Sequence, residues 1–77
     1  MERRARILEI VRRISKQDVN PAPDQSLFES GIVDSFALPE LVGALEREFS
    51  ISIPDSDLMP RKFETLERIE SYVEGRL

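Results

Sequence analysis

The chain has 77 residues and contains no histidine, cysteine or tryptophan. A chain of this length folds as one small domain, predicted here over residues 1–77, with a thin core and no room for a deep substrate pocket. Without cysteine and histidine it lacks a disulfide framework, a thiolate nucleophile, the commonest metal ligand and the usual near-neutral general base. The composition therefore argues against a self-sufficient enzyme.

The net charge of −4 is unevenly distributed along the chain. Residues 1–17 carry six basic against two acidic residues, a net of +4, whereas residues 18–59 carry nine acidic against one basic residue, a net of −8. The acidic middle disfavours nucleic acid and favours a basic protein surface as partner. The basic start is more typical of a solvated helix face than of a phosphate-binding patch.

The sequence shows no membrane-spanning or targeting pattern. No apolar run approaches the roughly 20 residues that cross a bilayer, and the charged first residues are followed by no apolar signal-peptide region. We therefore expect a cytoplasmic protein without a membrane span.

The first predicted element is an amphipathic helix over roughly residues 3–16. Its apolar face consists of Ile7, Ile10, Val11 and Ile14. Two prolines in residues 20–23 end this helix, because proline cannot continue it and pushes its predecessor toward extended geometry. A long connection then runs to about Asp34. Because such connections are uncommon in compact domains unless they are packed or functional, we expect Leu27 and Ile32 to pin it to the core.

The second predicted helix covers about residues 35–50. Its apolar face consists of Leu38, Leu41, Val42, Leu45 and Phe49. Either Asp34 or Ser35 can cap its start, since the side-chain oxygen of each can accept an unpaired N–H of the first turn. Pro39 removes an early hydrogen bond, so the first turn is expected to be loosened or to start late. By helical phase Phe36 points away from the apolar face.

The remainder of the chain is predicted to hold one short and one longer helix. Residues 50–54 alternate like a strand but have no partner strand, so they are expected to form an extended linker. Its inward anchors are Ile51 and Ile53. A short helical turn is predicted around residues 55–60, and the last helix over residues 65–76, capped by Thr65. Its apolar stripe is Leu66, Ile69, Tyr72, Val73 and Leu77. The fold class is therefore all-α: a small four-helix bundle, three longer helices plus one short, with a long first loop.

Three consecutive residues, Asp34-Ser35-Phe36, stand out at the junction of the long loop and the second helix. Ser35 cannot be a conventional catalytic serine, because the chain has no histidine and no Ser-x-x-Lys arrangement to activate it. Its hydroxyl is either a plain helix cap or the target of another enzyme, and the residues alone leave both open. Phe36 is an aromatic beside that hydroxyl, on a face edged by Glu40, which favours a docking point.

The same region resembles the acyl carrier protein family. The resemblance is carried by residues 27–36, LFESGIVDSF, and continues in residues 40–42 and 45–49, ELV and LEREF. The family's phosphopantetheine attachment motif is similar to Gly-x-Asp-Ser-Leu. Here Gly31 is followed by two residues, then by Asp34-Ser35 and Phe36. The Ile-x-Ile-Pro pattern of residues 51–54 and the last helix are also similar, so that the resemblance covers nearly the whole chain.

The resemblance implies a carrier rather than an enzyme. Ser35 would receive a 4′-phosphopantetheine group from coenzyme A through a phosphopantetheinyl transferase, with Asp34 in a supporting role. The thiol of this arm would hold an acyl or aminoacyl group as a thioester, so that the reactive sulfur arrives on a cofactor. The other implied partners are the enzymes that load the cargo and transfer it onward. No nucleic acid and no metal are implied, and we expect a monomer.

The resemblance also implies a docking surface and a site for the cargo. The predicted docking residues are Phe36, Glu40, Gly43, Glu46 and Arg47. An acyl chain, if sequestered, would lie between the second and third longer helices along Leu41, Leu45, Leu58 and Phe63. Phe36 replaces the leucine usual in the fatty-acid-synthesis type, and Ala37 and Arg47 stand where acids are common there. These differences favour a discrete carrier for a dedicated pathway: polyketide, non-ribosomal peptide, D-alanyl transfer or envelope modification.

Two alternatives remain at this point. One is a carrier-like interaction module that is never modified and docks through the second helix with Phe36 and Glu40. The other is a small helix-turn-helix nucleic-acid binder using the basic first helix, which is poorly supported because the overall charge is negative and the later helices lack a basic face.

Overall fold

Residues 3–77 are described by a computed structural model, which contains three α-helices and three 3₁₀ turns. The helices are α1 (Arg3–Ser15), α2 (Leu38–Phe49) and α3 (Leu66–Arg76), and the 3₁₀ turns are Ser35–Ala37, Asp55–Asp57 and Pro60–Phe63. Over this range no strand is present, which confirms the all-α prediction. None of the described helices is long and apolar enough to cross a membrane.

The short helical turn predicted around residues 55–60 is present as the 3₁₀ turn Asp55–Asp57, and residues 3–77 contain no fourth α-helix. The next 3₁₀ turn is separated from it by Leu58 and Met59, whose backbones leave the helical region with φ/ψ of −77/76° and −138/140°. Pro60 explains the break, because its ring disfavours helical geometry in the preceding residue. The bundle is therefore built from three α-helices with an irregular segment between α2 and α3.

The core confirms most of the helix faces expected from the periodicity, although Ile14 and Tyr72 are only partly buried against it and Leu77 is exposed. Its members from the three helices are Ile7, Ile10, Val11, Leu38, Leu41, Val42, Ala44, Leu45, Phe49, Leu66, Ile69 and Val73. Leu27, Val33, Ile53 and Phe63 complete it from the connecting segments. Leu77 does not belong to the α3 stripe: it lies beyond the last turn and is 62% exposed. Thr65 caps α3 as predicted, accepting a hydrogen bond from the Arg68 N–H at 3.0 Å.

The start of α2 shows the late beginning expected from Pro39. Residues Ser35–Ala37 form a 3₁₀ turn, and the α-helix begins only at Leu38. Pro39 then lies in the first turn, where its missing N–H would have had no intrahelical partner. The helix ends at Ser50, which adopts the left-handed conformation with φ 54°.

The long connection between α1 and α2 is packed rather than loose. Leu27 is fully buried, and its N–H donates to the Glu64 carbonyl at 2.7 Å. The chain then turns at Gly31, which has φ +82°, and returns so that the Val33 N–H donates to the Leu27 carbonyl at 2.9 Å. Ile32 is partly buried against the core as predicted, and the buried Val33 is a further anchor that was not predicted.

The basic start of the chain is largely paired within the fold. Arg3 bonds Glu74 at 2.8 Å, Arg4 bonds Glu70 through its Nε at 2.9 Å, and both acids lie on α3. Arg6 reaches the end of α2, where its Nε lies 2.8 Å from the Glu48 carboxylate. Arg3, Arg4 and Arg6 therefore join α1 to the other two helices, although such partly exposed pairs contribute at most about 1 kcal/mol each.

Candidate functional site

The candidate site lies where the long connection enters the 3₁₀ turn before α2. Asp34 is extended, with φ/ψ of −81/143°, and its Oδ1 accepts the Phe36 N–H at 2.8 Å. Its carbonyl accepts the Ala37 N–H at 2.8 Å. Asp34, and not Ser35, is thus the residue that caps this turn.

Ser35 is exposed, and its hydroxyl makes no hydrogen bond to any other residue of the described range. Because Asp34 caps the turn, the serine hydroxyl is not needed for local structure. Within residues 3–77 no group of acidic residues is arranged to hold a metal ion. The site therefore presents a free, unactivated hydroxyl on a well-defined turn, which suits a group that another enzyme modifies.

Phe36 is the most exposed large apolar side chain in the described part of the chain, at 92%. Its exposure matches the prediction, although it belongs to the 3₁₀ turn and not to α2. Aromatic residues are enriched among those that dominate the energy of protein interfaces. An aromatic held in the open next to a free hydroxyl can therefore bind a partner at the point where Ser35 is approached.

The charged residues of α2 divide into a free and an engaged set. The engaged set comprises Glu46, whose carboxylate accepts the Ile53 N–H at 2.8 Å, and Glu48, which pairs with Arg6. Glu40 and Arg47 are exposed, and neither has an ion-pair partner within the described residues. The Arg47 guanidinium folds back along the helix, with Nη1 3.6 Å from the point where a Cβ on Gly43 would lie.

The residues predicted to line an acyl groove lie in the core. Leu41, Leu45 and Phe63 are completely buried, and Leu58 is half-buried against them. Two surface cavities, of 830 and 660 Å³, lie elsewhere and share Arg4 and Glu70 in their walls. None of the four predicted groove residues lines either cavity.

The structure also contains a polar cluster that the sequence did not predict, formed by Asp57, Lys62 and Tyr72. The Tyr72 hydroxyl donates to Asp57 Oδ2, and Lys62 Nζ donates to Oδ1 at 2.9 Å. The hydrogen bond from Tyr72 is the main cause that lowers the pKa of Asp57, followed by that from Lys62. Burial, and then the bond to Asp57, raises the pKa of Tyr72 to about 12. The cluster fixes the irregular segment between α2 and α3 to α3. Asp57 and Tyr72 are fifteen residues apart, so no local sequence pattern predicts their contact.

Comparison with known proteins identifies the relatives of the chain. The family model described as "Phosphopantetheine attachment site" matches residues 5–73. The D-alanyl carrier protein of Streptococcus sanguinis is 33% identical over 75 residues, covering 97% of this chain and 91% of the relative. That of Streptococcus suis is 33% identical over 73 residues, covering 95% and 92%. That of Leuconostoc mesenteroides is 32% identical over 75 residues, covering 97% and 96%.

Proposed function

The chain belongs to the phosphopantetheine-binding carrier family, and from this premise we propose that Ser35 is the residue to which 4′-phosphopantetheine is attached. Members of this family are carriers and not enzymes, and the chain holds an acyl or aminoacyl group on its covalent arm. When attached, the arm supplies a thiol on which the cargo is held as a thioester. The observation that carries the assignment is the free hydroxyl of Ser35 on a turn already capped by Asp34.

The residues at the turn fit the attachment reaction. The Ser35 oxygen attacks the coenzyme A phosphorus that carries the pantetheine, forming a phosphodiester as the bond to adenosine 3′,5′-bisphosphate breaks. The hydroxyl proton passes to a base of the transferase, because no side chain among residues 3–77 accepts a hydrogen bond from the Ser35 hydroxyl. What the chain itself contributes is exposure of the oxygen and a fixed backbone around it, supplied by the Asp34 hydrogen bonds.

The cargo that we propose is a small aminoacyl group, and D-alanyl is the one that the names of the relatives print. The closed core supports a small cargo. Leu41, Leu45 and Phe63 are completely buried, so a long acyl chain would have to displace packed side chains to enter between α2 and α3. A small polar group needs no such cavity. Attachment and loading would take place in the cytoplasm, where coenzyme A and ATP are available.

The docking surface that we propose consists of Phe36, Glu40, Gly43 and Arg47. Phe36 supplies an apolar anchor, and Glu40 and Arg47 are charges left free by the fold. The partner enzymes, the transferase among them, would then offer an apolar pocket, a cation opposite Glu40 and an acid opposite Arg47. Glu46 is left out of this surface because its carboxylate already holds the Ile53 N–H. Exposed charges of this kind mainly set the encounter rate, so docking should weaken with salt.

The attachment is tested by intact mass. The apo chain is incubated with coenzyme A, magnesium and a broad-specificity phosphopantetheinyl transferase, and we expect the mass of one phosphopantetheine group to be added. Ser35→Ala should add nothing. Ser56→Ala is the matched control, since Ser56 is also exposed and also follows an aspartate, and it should gain the full mass. A gain that persists in Ser35→Ala would show that the arm is carried elsewhere.

The cargo is tested on the holo chain produced in that experiment. Incubation with ATP, D-alanine and a D-alanine-activating ligase should add one alanyl group that neutral hydroxylamine removes, because thioesters are cleaved under these conditions. The apo chain is the control and should add none. Loading with a long-chain acyl group but not with D-alanine would overturn the proposed cargo while leaving the attachment site intact.

A further inference from the structure

We propose that Ser26 and Glu64 are positioning residues for Ser35, an inference that rests on the proposed attachment of the arm there. Neither residue is near Ser35 in the sequence, and Glu64 lies at the junction between the last 3₁₀ turn and α3. Together they connect the start of α3 to the part of the long connection that leads into the site.

The first connection is a direct side-chain hydrogen bond. The Ser26 hydroxyl donates to Glu64 Oε2 at 2.9 Å, and Ser26 Oγ in turn accepts the Glu29 N–H at 3.0 Å. Both Ser26 and Glu64 are partly buried. Because the acceptor is a carboxylate, this bond belongs to the stronger, charge-assisted class. The hydroxyl is thus satisfied on both sides and holds the turn that begins at residue 26.

The second connection runs through the backbone. The Glu64 carbonyl accepts the Leu27 N–H at 2.7 Å, and the Leu27 carbonyl accepts the Val33 N–H at 2.9 Å. Leu27 and Val33 are buried, so these bonds are protected from water. Glu64 therefore holds Leu27, and Leu27 holds Val33, two residues before the modified serine.

On the N-terminal side of the site, the hydrogen bonds from Leu27 and Val33 are supplemented by Phe28 and Ile32, which are partly buried against the core. The hydrogen bonds of Asp34 go only to Phe36 and Ala37, which belong to the same turn. The position of the Ser35 hydroxyl relative to the bundle is therefore set by Val33 on one side and by buried Leu38 on the other. Loosening the bond between Ser26 and Glu64 should let the turn shift away from the geometry that the transferase needs, while Glu40, Gly43 and Arg47 of the proposed docking surface keep their places on α2.

The test separates positioning from docking by measuring kcat and KM of phosphopantetheine transfer for each variant. Ser26→Ala should lower kcat by about tenfold and leave KM for the carrier within about twofold, because misplacing a reacting group slows the reaction without removing the binding surface. Ser26→Thr keeps a hydroxyl and should restore kcat. Glu64→Gln keeps an acceptor but loses its charge, and should give an intermediate loss.

A general loss of stability is controlled by Ile10→Val, which removes one buried methylene from α1 and makes no change to the connection. We expect this variant to keep the wild-type kcat. Amide hydrogen exchange provides a second readout: the Leu27 and Val33 amides should exchange faster in Ser26→Ala and not in Ile10→Val.

A wild-type kcat in Ser26→Ala, or an equal loss in Ile10→Val, would overturn the positioning role. If the wild-type chain itself accepts no arm, the proposed function fails instead. Unchanged exchange of the Val33 amide in Ser26→Ala would in that case still show that Ser26 does not hold this segment.

Discussion

The chain contains the dipeptide Asp-Ser twice, and the two copies behave differently. Asp34-Ser35 and Asp55-Ser56 both lie at a 3₁₀ turn with an exposed serine. In the first, the aspartate stands before the turn and caps it, and the chain continues through Phe36 into α2. In the second, Pro54 precedes the turn, no side chain caps it, and the chain leaves helical geometry at Leu58.

The residue that follows each serine shows the same contrast. Phe36 is 92% exposed and free to contact a partner. Asp57, its counterpart, is bound by Tyr72 and Lys62 from inside the molecule. The two serine hydroxyls are therefore presented on similar local motifs but in different surroundings. The difference lies in what each turn leads into and in what the neighbouring side chain is free to bind.

The largest expected effect tests whether the sequence Asp-Ser-Phe at a 3₁₀ turn is sufficient for attachment of phosphopantetheine. Asp57→Phe combined with Ser35→Ala gives the second turn the order Asp-Ser-Phe while the first turn loses its hydroxyl. We expect no phosphopantetheine to be added, because no α-helix follows directly on that turn and the cap is absent. Intact mass after incubation with coenzyme A and the transferase decides this, with circular dichroism to check folding. A mass gain at Ser56 would show that the local motif alone defines the site.

The next effect concerns the exposed aromatic. Phe36→Ala should lower kcat/KM of phosphopantetheine transfer by about tenfold, since truncating an aromatic anchor at an interface commonly costs more than 1 kcal/mol. Met59→Ala is the control from the irregular segment, because Met59 is also an exposed apolar residue, at 39%. Steady-state kinetics on both variants makes the comparison. Equal losses, or no loss in Phe36→Ala, would count against the proposed docking surface.

A smaller effect is expected on the free energy of unfolding, which should respond differently to substitution of Asp34 and of Asp55. Asp34→Ala removes the acceptor of the Phe36 N–H and should lower the free energy of unfolding by about 1 kcal/mol, whereas Asp34→Asn should retain most of it. Asp55→Ala, at a turn without a side-chain cap, should change it by less than about 0.5 kcal/mol. Urea denaturation followed by circular dichroism measures all three. A similar loss of unfolding free energy in Asp34→Ala and Asp55→Ala would show that the Asp34 cap does not stabilise its turn more than Asp55 stabilises the second turn.

The smallest expected effect is a change in stability at low and at high pH, caused by the shifted pKa values of Asp57 and Tyr72. The pKa of Asp57 is lowered in the folded state, so its stabilising contribution is present above the ordinary value of about 4 and is lost as pH falls through the folded pKa. The pKa of Tyr72 is raised to about 12, so its contribution is present below the ordinary value of about 10 and is lost as pH rises through 12. Lys62 lowers the first pKa, and Arg76, stacked 5.9 Å from the Tyr72 ring, slightly lowers the second.

Tyr72→Phe removes the hydrogen bond that contributes to both shifts. Compared with wild type, its urea midpoint should therefore fall less on going from neutral pH to about pH 3 or about pH 11. Wild type measured in parallel at the same three pH values is the reference. Identical pH profiles for the two proteins would show that the Tyr72–Asp57 bond does not contribute to stability.

Helix α2 shows which features could be predicted from the sequence and which could not. The helical phase correctly separated the buried face of α2 from its outer face, because that separation depends only on the spacing of neighbouring residues. It could not show that Glu46 binds the Ile53 N–H or that Glu48 pairs with Arg6, which depend on how the linker and α1 pack. Residues 55–60 show a local effect instead, because Pro60 disfavours helical geometry in Met59 and separates the turn Asp55–Asp57 from the turn Pro60–Phe63.

From the sequence alone it followed that this chain is an all-helical carrier without reactive sulfur or imidazole of its own, and that Ser35 in its motif is the residue to consider. Composition, helical periodicity and a contiguous motif depend only on the residues and their neighbours along the chain, so they can be recognised without knowledge of the fold. Only the tertiary structure decided that Asp34, and not Ser35, caps the turn, that Leu41, Leu45 and Phe63 are completely buried, and that Ser26 meets Glu64 across 38 residues. Contacts between distant residues arise when the helices pack together, and no spacing along the chain encodes them.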